Sequence, residues 1–351
     1  MAAGGGSVLE LLTAPVGRDR FLREHWCSSP CVLRATASRE SLAAEVGSAC
    51  DVLEACFEGG SEPLVLGLDM VACRYDEGDG RVDLGSEGEP VTLEAARELL
   101  SGEAAATLQL HQPQRRVPAL HAACAGLESE LGCLCGANVY VTPPGAQGLA
   151  PHHDDVEIFV LQCSGTKRWK VYKPMPGHEG ARAHSGDLDR SDIGEPVLDV
   201  TLEPGHVLYL PRGTPHEAAV PQERKGKGKG KESVHVTLSS YQRWTAGDLA
   251  AAACAARLEL PPGSPAAPPP LARDALPLAV ALPAAGESSR REAGRMAAAA
   301  LRELADRLEA EASPELAAGL DLMAEDFMCS RLPPPGVGEP GGGPPEGGAP
   351  P

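Results

Sequence analysis

The chain runs to 351 residues, with a formal net charge of −18 at pH 7, an apolar share of 42% and an aromatic share of 3%. So acidic a balance excludes a protein that coats nucleic acid over its whole surface. No stretch approaches the roughly 18–20 uninterrupted apolar residues of a membrane span, so no membrane partner is expected.

The first residues, MAAGGGSVLELLTAPVGRDR, hold no long apolar core and no cleavage-like site, and no secretory signal is expected. Residues 16–36 read as a short helix, a Ser-Pro turn and a strand. Thr92 is placed to cap a helix over 93–100, because its hydroxyl can accept from an early free N–H. A second helix is expected over 118–132: Leu120, Cys124, Leu127 and Leu131 recur at helical spacing, Pro118 opens it and Gly132 ends it. After Gly132 the texture changes to short runs rich in Val, Tyr, Phe, Thr and Leu, at 137–145, 156–163, 168–174, 197–205, 206–213 and 233–242. Turn residues separate them, which points to a β-sandwich or jelly roll rather than a parallel sheet. Beyond Trp244 helices are expected over 245–260, 288–310 and 313–332, the second with Leu301, Leu304 and Leu308 on one face and the third with a Ser cap. A Pro-rich linker (261–279) lies between the first two, and the Gly/Pro-rich end of the sequence is expected to be disordered. Eleven cysteines without repeating spacing are expected as free thiols in a reducing compartment. Cys27 with Cys31, and Cys133 with Cys135, each lack the second pair of a structural zinc site.

The chemistry concentrates in LAPHHDDVEIFVLQ (149–162). On an extended segment residues i and i+2 project to one side, so His152 and Asp154 can reach a common point. YLPRGTPHEA supplies His216 after a tight turn, at the entry to a later strand. Two His and one carboxylate on one face of a metal make the facial triad of non-haem Fe(II) oxygenases. His153 and Asp155 fall out of phase and are expected to be neighbours rather than ligands. The plain alternative, surface or core histidines in a chance H-x-D, stays open on these residues alone.

NVYVTPPGAQGLAPHHDDVEIFVLQCSGTKRWKVYKP, with PGHVLYLPRGTPHEA and HVTLSSYQ, resembles the ribosomal oxygenases of the JmjC group, and more closely their nucleolar histidyl-hydroxylase and lysine-demethylase member. The similarity extends from about Phe21 to about Pro335. It implies a mainly β fold with flanking helices: a double-stranded β-helix (jelly-roll, cupin-like) core behind N-terminal α/β elements, followed by a helical dimerisation region. The expected regions are 1–100 (α/β support), 101–245 (catalytic core), 246–332 (helices, homodimer) and 333–351 (tail). The resemblance further implies Fe(II) held by His152, Asp154 and His216, with 2-oxoglutarate and O2 as cosubstrates. Position 153 is commonly aromatic in that group. Lys167 matches the lysine that binds the distal carboxylate of 2-oxoglutarate, an anion that needs a cation. Asn138 and Tyr140 are expected to face the site and orient cosubstrate or substrate. His235 and Ser239, in phase on the closing strand, are candidates for the substrate pocket.

Family members usually continue past a segment like EDFMCSRLPPP (325–335) into a winged helix, whereas here only the tail follows. The basic stretch ERKGKGKGKE (223–232) reads as a solvated insertion, with ribosomal RNA or an acidic partner as the functional alternative. The leading expectation is an oxygenase hydroxylating a histidine of a ribosomal protein, in the nucleus or nucleolus, or in the cytoplasm of a bacterium. Demethylation of a histone lysine uses the same chemistry. An inactive dimeric jelly-roll scaffold in ribosome assembly and a metal-dependent cupin isomerase are the readings from other classes.

Overall fold

Residues 157–164 offer water no polar side: every one of them is buried, although the run includes Glu157, Gln162 and Ser164. A strand of that kind must be covered on both faces, and the architecture supplies the two covers. The computed structural model describes residues 6–60, 62–76, 78, 80–101, 103, 105–222, 231–241, 245–259, 287–309 and 313–330. The tail 333–351 and the linker 261–279, with all but Lys231 and Glu232 of the basic stretch, lie outside them.

The chain opens with helices α1 (Val8–Thr13) and α2 (Arg18–Glu24), strand β1 (Cys31–Leu33), and helices α3 (Ala37–Val46) and α4 (Ala49–Glu58). Strands β2 (Leu64–Val65), β3 (Met70–Asp76), β4 (Gly80–Leu84) and β5 (Pro90–Val91) follow, then helix α5 (Leu93–Ser101), strand β6 (Thr107–His111) and helix α6 (Pro118–Leu131). The expected caps form: Thr92 Oγ1 accepts from Ala95 N–H at 3.2 Å, and Gly132 ends α6 in the left-handed region at φ +66°. The remaining strands are β7 (Cys135–Thr142), β8 (Glu157–Ser164), β9 (Lys167–Val171), β10 (Leu198–Leu202), β11 (Val207–Leu210), β12 (His216–Ala219) and β13 (Ser233–Ser240), with the short helix α7 (Arg190–Ile193) before β10.

Two antiparallel sheets face each other. The larger has the order β1-β11-β8-β13-β7-β6-β3-β4 and the smaller β10-β9-β12. The jelly roll expected from six runs is therefore extended on both sides of its larger sheet, by β1 pairing β11 and by β3, β4 and β6 beyond β7. Strands from the region 1–100 and from the region 101–245 thus share one sheet. The described residues up to Tyr241 form one compact unit, and Gln242–Ser330 fall in another.

Alternation along the larger sheet divides its side chains. Phe159 and Leu161 of β8, Val207 and Tyr209 of β11, and Val234, Val236 and Leu238 of β13 pack into the core under α1, α3, α4 and α6. Aromatics are scarce, and several gather there: the Tyr209 ring meets Phe21 edge-on at 4.8 Å, and Trp26 stacks on Phe159 at 6.1 Å. The opposite face turns Ile158, Val160, Leu208 and Leu210 toward Trp169, Val171 and Leu202 of the smaller sheet. Toward β7 and β13 that inter-sheet face becomes polar, presenting Tyr140, Thr142, His235 and Thr237. Burying polar groups between sheets costs free energy unless each finds a hydrogen-bond partner. Helix-bearing residues after Tyr241 form α8 (Ala246–Glu259), α9 (Glu287–Leu308) and α10 (Pro314–Ser330). Ser313 caps α10 as expected, and Gly319 lets it approach the backbone of Ala253 in α8, where a Cβ would sit 2.9 Å from the Ala253 nitrogen. Of the leucine face expected on α9, Leu304 is buried and Leu301 is exposed. None of the described helices is long and apolar enough to cross a membrane.

Phe159 is fully buried at the meeting of four aromatic rings. Phe159→Ala is expected to cost about 3–5 kcal/mol, read as a fall in the urea midpoint with an unchanged slope.

Candidate metal centre

The smaller sheet has three strands where a symmetric sandwich would have four. Residues 147–152 run along its open edge and touch β12 at two bridges, Gln147 opposite Ala219 and His152 opposite His216. At the second bridge each histidine N–H donates to the other's carbonyl, at 3.1 and 2.8 Å. The two imidazoles are thereby set side by side, with centroids 4.5 Å apart. Asp154, two residues on, brings its carboxylate to 3.9 Å from His152 Nε2 and 3.7 Å from His216 Nε2. Ligating atoms of His152, Asp154 and His216 all lie within 4.8 Å of one another.

Both rings are held in one tautomer by the same device. His152 Nδ1–H donates to Ala150 O at 2.7 Å and His216 Nδ1–H to Thr214 O at 3.0 Å. A carbonyl only accepts, so Nδ1 carries the proton and Nε2 keeps a lone pair aimed at the other histidine and Asp154. Burial, and His152 beside it, push the His216 imidazole down to about 4, so it stays neutral and able to ligate at physiological pH.

These groups line a cavity of about 470 Å³, counting its open mouth. Lys167 lies in the lining and is almost completely buried. Its Nζ donates to Thr142 Oγ1 at 2.9 Å and sits 6.0 Å from the centroid of the Tyr140 ring. No carboxylate is paired with it among the described residues, and burial pushes the ammonium down to about 7. Tyr140 and His235 stack with ring planes 4° apart, and Trp169 meets His235 edge-on at 5.3 Å. Burial, then Lys167 and His216, hold the His235 imidazole well below its usual value.

Of the residues expected from the sequence, His152, Asp154, His216, Lys167, Tyr140 and His235 all line this cavity. Asn138 and Ser239 do not. The cavity opens between 140–142 of β7 and 235–237 of β13, so positions one alternation further along fall beside it. The Tyr140 hydroxyl accepts from Gln109 Nε2–H at 3.1 Å, from β6. Thr142, Thr107, Trp169 and Thr237 were missed, although 142 and 169 are in phase with Tyr140 and Lys167 and alternation alone would have found them. Thr107 carried no local signal, since β6 joins the sheet through long-range pairing with β7. His153 turns away from the cavity, as expected, and is buried against His178.

Residues 109–246 match the family model of the JmjC domain. The chain belongs to the JmjC-domain family. It is 37% identical over 243 residues to ribosomal oxygenase 2 of Rattus norvegicus, covering 69% of this chain and 49% of that protein. Ribosomal oxygenase 1 of Homo sapiens is 37% identical over 69% of this chain and 35% of its own length. The bifunctional lysine-specific demethylase and histidyl-hydroxylase NO66 of Drosophila persimilis is 33% identical over 70% of this chain and 33% of its own length. The chain thus spans a third to a half of these relatives. Among solved structures, YcfD of Escherichia coli, a ribosomal oxygenase in complex with cobalt and 2-oxoglutarate, aligns at a TM-score of 0.47 and 18% identity over 89% of this chain and 71% of that one.

The buried ammonium of the JmjC domain makes a pH prediction. Lys167 is pushed down to about 7 in the folded chain from the 10.5 ordinary for a lysine, so between these the unfolded chain binds more protons. Stability of the ligand-free protein should therefore rise from this group as pH increases from about 7 toward 10.5. Lys167→Met should raise the Tm at pH 6.5 and flatten that rise in a pH series of thermal melts.

Proposed function

We propose that this chain is an Fe(II)- and 2-oxoglutarate-dependent oxygenase that hydroxylates a histidine side chain of a ribosomal protein. The reading is carried by two complementary groups lining one cavity, taken as its two ends: two Nε2 lone pairs and a carboxylate at the first, and at the second a buried ammonium with no carboxylate partner among the described residues. The donor set fits a divalent metal, because three protein ligands on one side leave the opposite positions to cosubstrates. The second end fits the far carboxylate of a dicarboxylic acid, whose charge would hold Lys167 protonated. The names of the relatives, ribosomal oxygenase and histidyl-hydroxylase, supply the substrate class.

In this reading His152, Asp154 and His216 hold Fe(II), and Lys167 with Thr142 holds 2-oxoglutarate. When bound, the iron and the 2-oxo acid together activate O2, yielding succinate, CO2 and one oxygen atom for insertion into a C–H bond. The chain's own contribution is placement. Nδ1–carbonyl bonds keep both imidazoles oriented, and Trp169 and Ile158 give the cavity an apolar wall that excludes water. The stacked Tyr140–His235 pair forms a flat side against which a substrate ring can lie.

A second reading uses the same site: demethylation of a histone lysine, favoured by the demethylase name of the Drosophila relative. Hydroxylation of an N-methyl carbon releases formaldehyde, whereas a hydroxylated histidine carbon is stable. The intact triad and Lys167 count against a catalytically inactive scaffold, and Lys167 has no role in a cupin isomerase. A nuclear or nucleolar location, a part in ribosome biogenesis or chromatin regulation, a homodimer built on the region 246–332, and an RNA or acidic partner for the basic stretch 223–232 belong to this proposal.

The test is incubation with Fe(II), 2-oxoglutarate, O2 and a panel of ribosomal-protein and methylated histone peptides, read by mass spectrometry. A ribosomal peptide is expected to gain one oxygen atom with equimolar succinate, and His216→Ala should abolish both. Formaldehyde from the histone peptides alone would decide for demethylation. Absence of any product from wild-type protein with iron bound would contradict both.

A further inference from the structure

Of the five residues that flank the three proposed ligands in sequence, four, namely Pro151, His153, Pro215 and Glu217, are tied to a single segment, Tyr172–Arg190. Leu188 N–H donates to Pro151 O at 2.8 Å, and Tyr172 N–H to Pro215 O at 2.8 Å. His153 N–H donates to Ser185 Oγ at 2.9 Å, while Ser185 N–H returns a bond to His153 O at 3.1 Å. Arg190 reaches the buried Glu217 carboxylate at 2.5 Å. The segment also presses on the turn before His216. Gly213 N–H donates to Asp154 O at 2.8 Å, and a Cβ at Gly213 (φ +79°) would fall 1.9 Å from the carbonyl oxygen of His178.

Besides the pairing of Arg190 with Glu217, the clamp has a side-chain link made of two imidazoles. His153 projects away from the cavity and is 1% exposed. Its Nε2 lies 2.9 Å from Nδ1 of the half-buried His178, with the rings 78° apart. Residue 153 sits between two proposed ligands and cannot reach their common point itself. Where its ring is held decides where the backbone of 152–154 lies. Constellations of this kind work only within about 0.5 Å of the productive geometry, so an anchor of that backbone sets metal affinity without touching the metal.

We propose that His178 is a positioning residue for the metal centre: bonded to His153, it seats the Tyr172–Arg190 segment against residues 151–154 and fixes the separation of His152, Asp154 and His216. This rests on the metal-centre reading given under the proposed function. His178 is not a ligand. Its ring meets His153, on the side of the extended segment opposite the triad.

Equilibrium dialysis of the full chain against Co(II), with the visible absorption of bound Co(II), separates positioning from mere structure. Wild type is expected to bind one Co(II); if it binds none, the metal-centre reading fails and this inference falls with it. His178→Leu should weaken Co(II) binding by roughly 10–100-fold and alter the Co(II) spectrum, with the far-UV circular dichroism of the metal-free protein unchanged. Asparagine places a polar atom near the position of Nδ1 and glutamine near that of Nε2. His178→Asn should therefore restore affinity to within about threefold and His178→Gln should not. That comparison decides the matter even if the leucine variant fails to fold. Wild-type affinity and spectrum in His178→Leu, or equal affinities in the asparagine and glutamine variants, would overturn the proposal.

Discussion

Two backbone hydrogen bonds between His152 and His216 hold the rest of the site in register. They join residues 64 positions apart in sequence across the broken edge of a sheet, and they bring two imidazoles to one point. Everything nearby serves that pairing. Carbonyls two residues upstream fix each ring's tautomer, Gly213 bonds the backbone of Asp154, and the Tyr172–Arg190 segment closes over the outside. A regular fourth strand would pair at every other residue. Bridging only at its two ends lets residues 148 and 149 bow into the cavity, and Gly148 permits the close approach to Thr107.

The cost of the site is carried by its polar interior. Lys167 and His235 are both buried, each is driven toward its neutral form, and the ammonium of Lys167 makes a charge on His235 harder to hold. The apolar half of the inter-sheet space, around Ile158, Val160, Leu208 and Leu210, offsets this by ordinary burial. One sandwich thus holds a stabilising half and a functional half, divided by where alternation on β7 and β13 turns polar. Residues at functional sites that oppose stability are a common pattern, and a lysine buried without a carboxylate is a clear instance.

Much of this was legible in the sequence because strand alternation has a period of two. His152 and Asp154 share a side while His153 and Asp155 leave it, and Tyr140 and His235 fall in phase on the strands that flank the cavity. The same rule also brought in Asn138 and Ser239, which are not among the lining residues, since phase says which face a residue takes and not how far along the strand the cavity extends. The eight-stranded extent of the larger sheet was not legible. Strand β6 joins β3 to β7 through pairings distant in sequence, and long-range register leaves little local trace. The embrace of the ligands by Tyr172–Arg190 was hidden for another reason: that stretch is mostly irregular, and its bonds run to backbone atoms of other segments.

The central claim is that the triad and Lys167 are the two ends of one dicarboxylate site. Calorimetric titration of 2-oxoglutarate into the protein, with and without Mn(II), tests it most directly, because two ends of one site must be thermodynamically coupled. The account requires one 2-oxoglutarate per chain, binding at least about tenfold more tightly when Mn(II) is present, and glutarate, which lacks the 2-oxo group, gaining nothing from the metal. Equal affinity for 2-oxoglutarate with and without Mn(II) would contradict it.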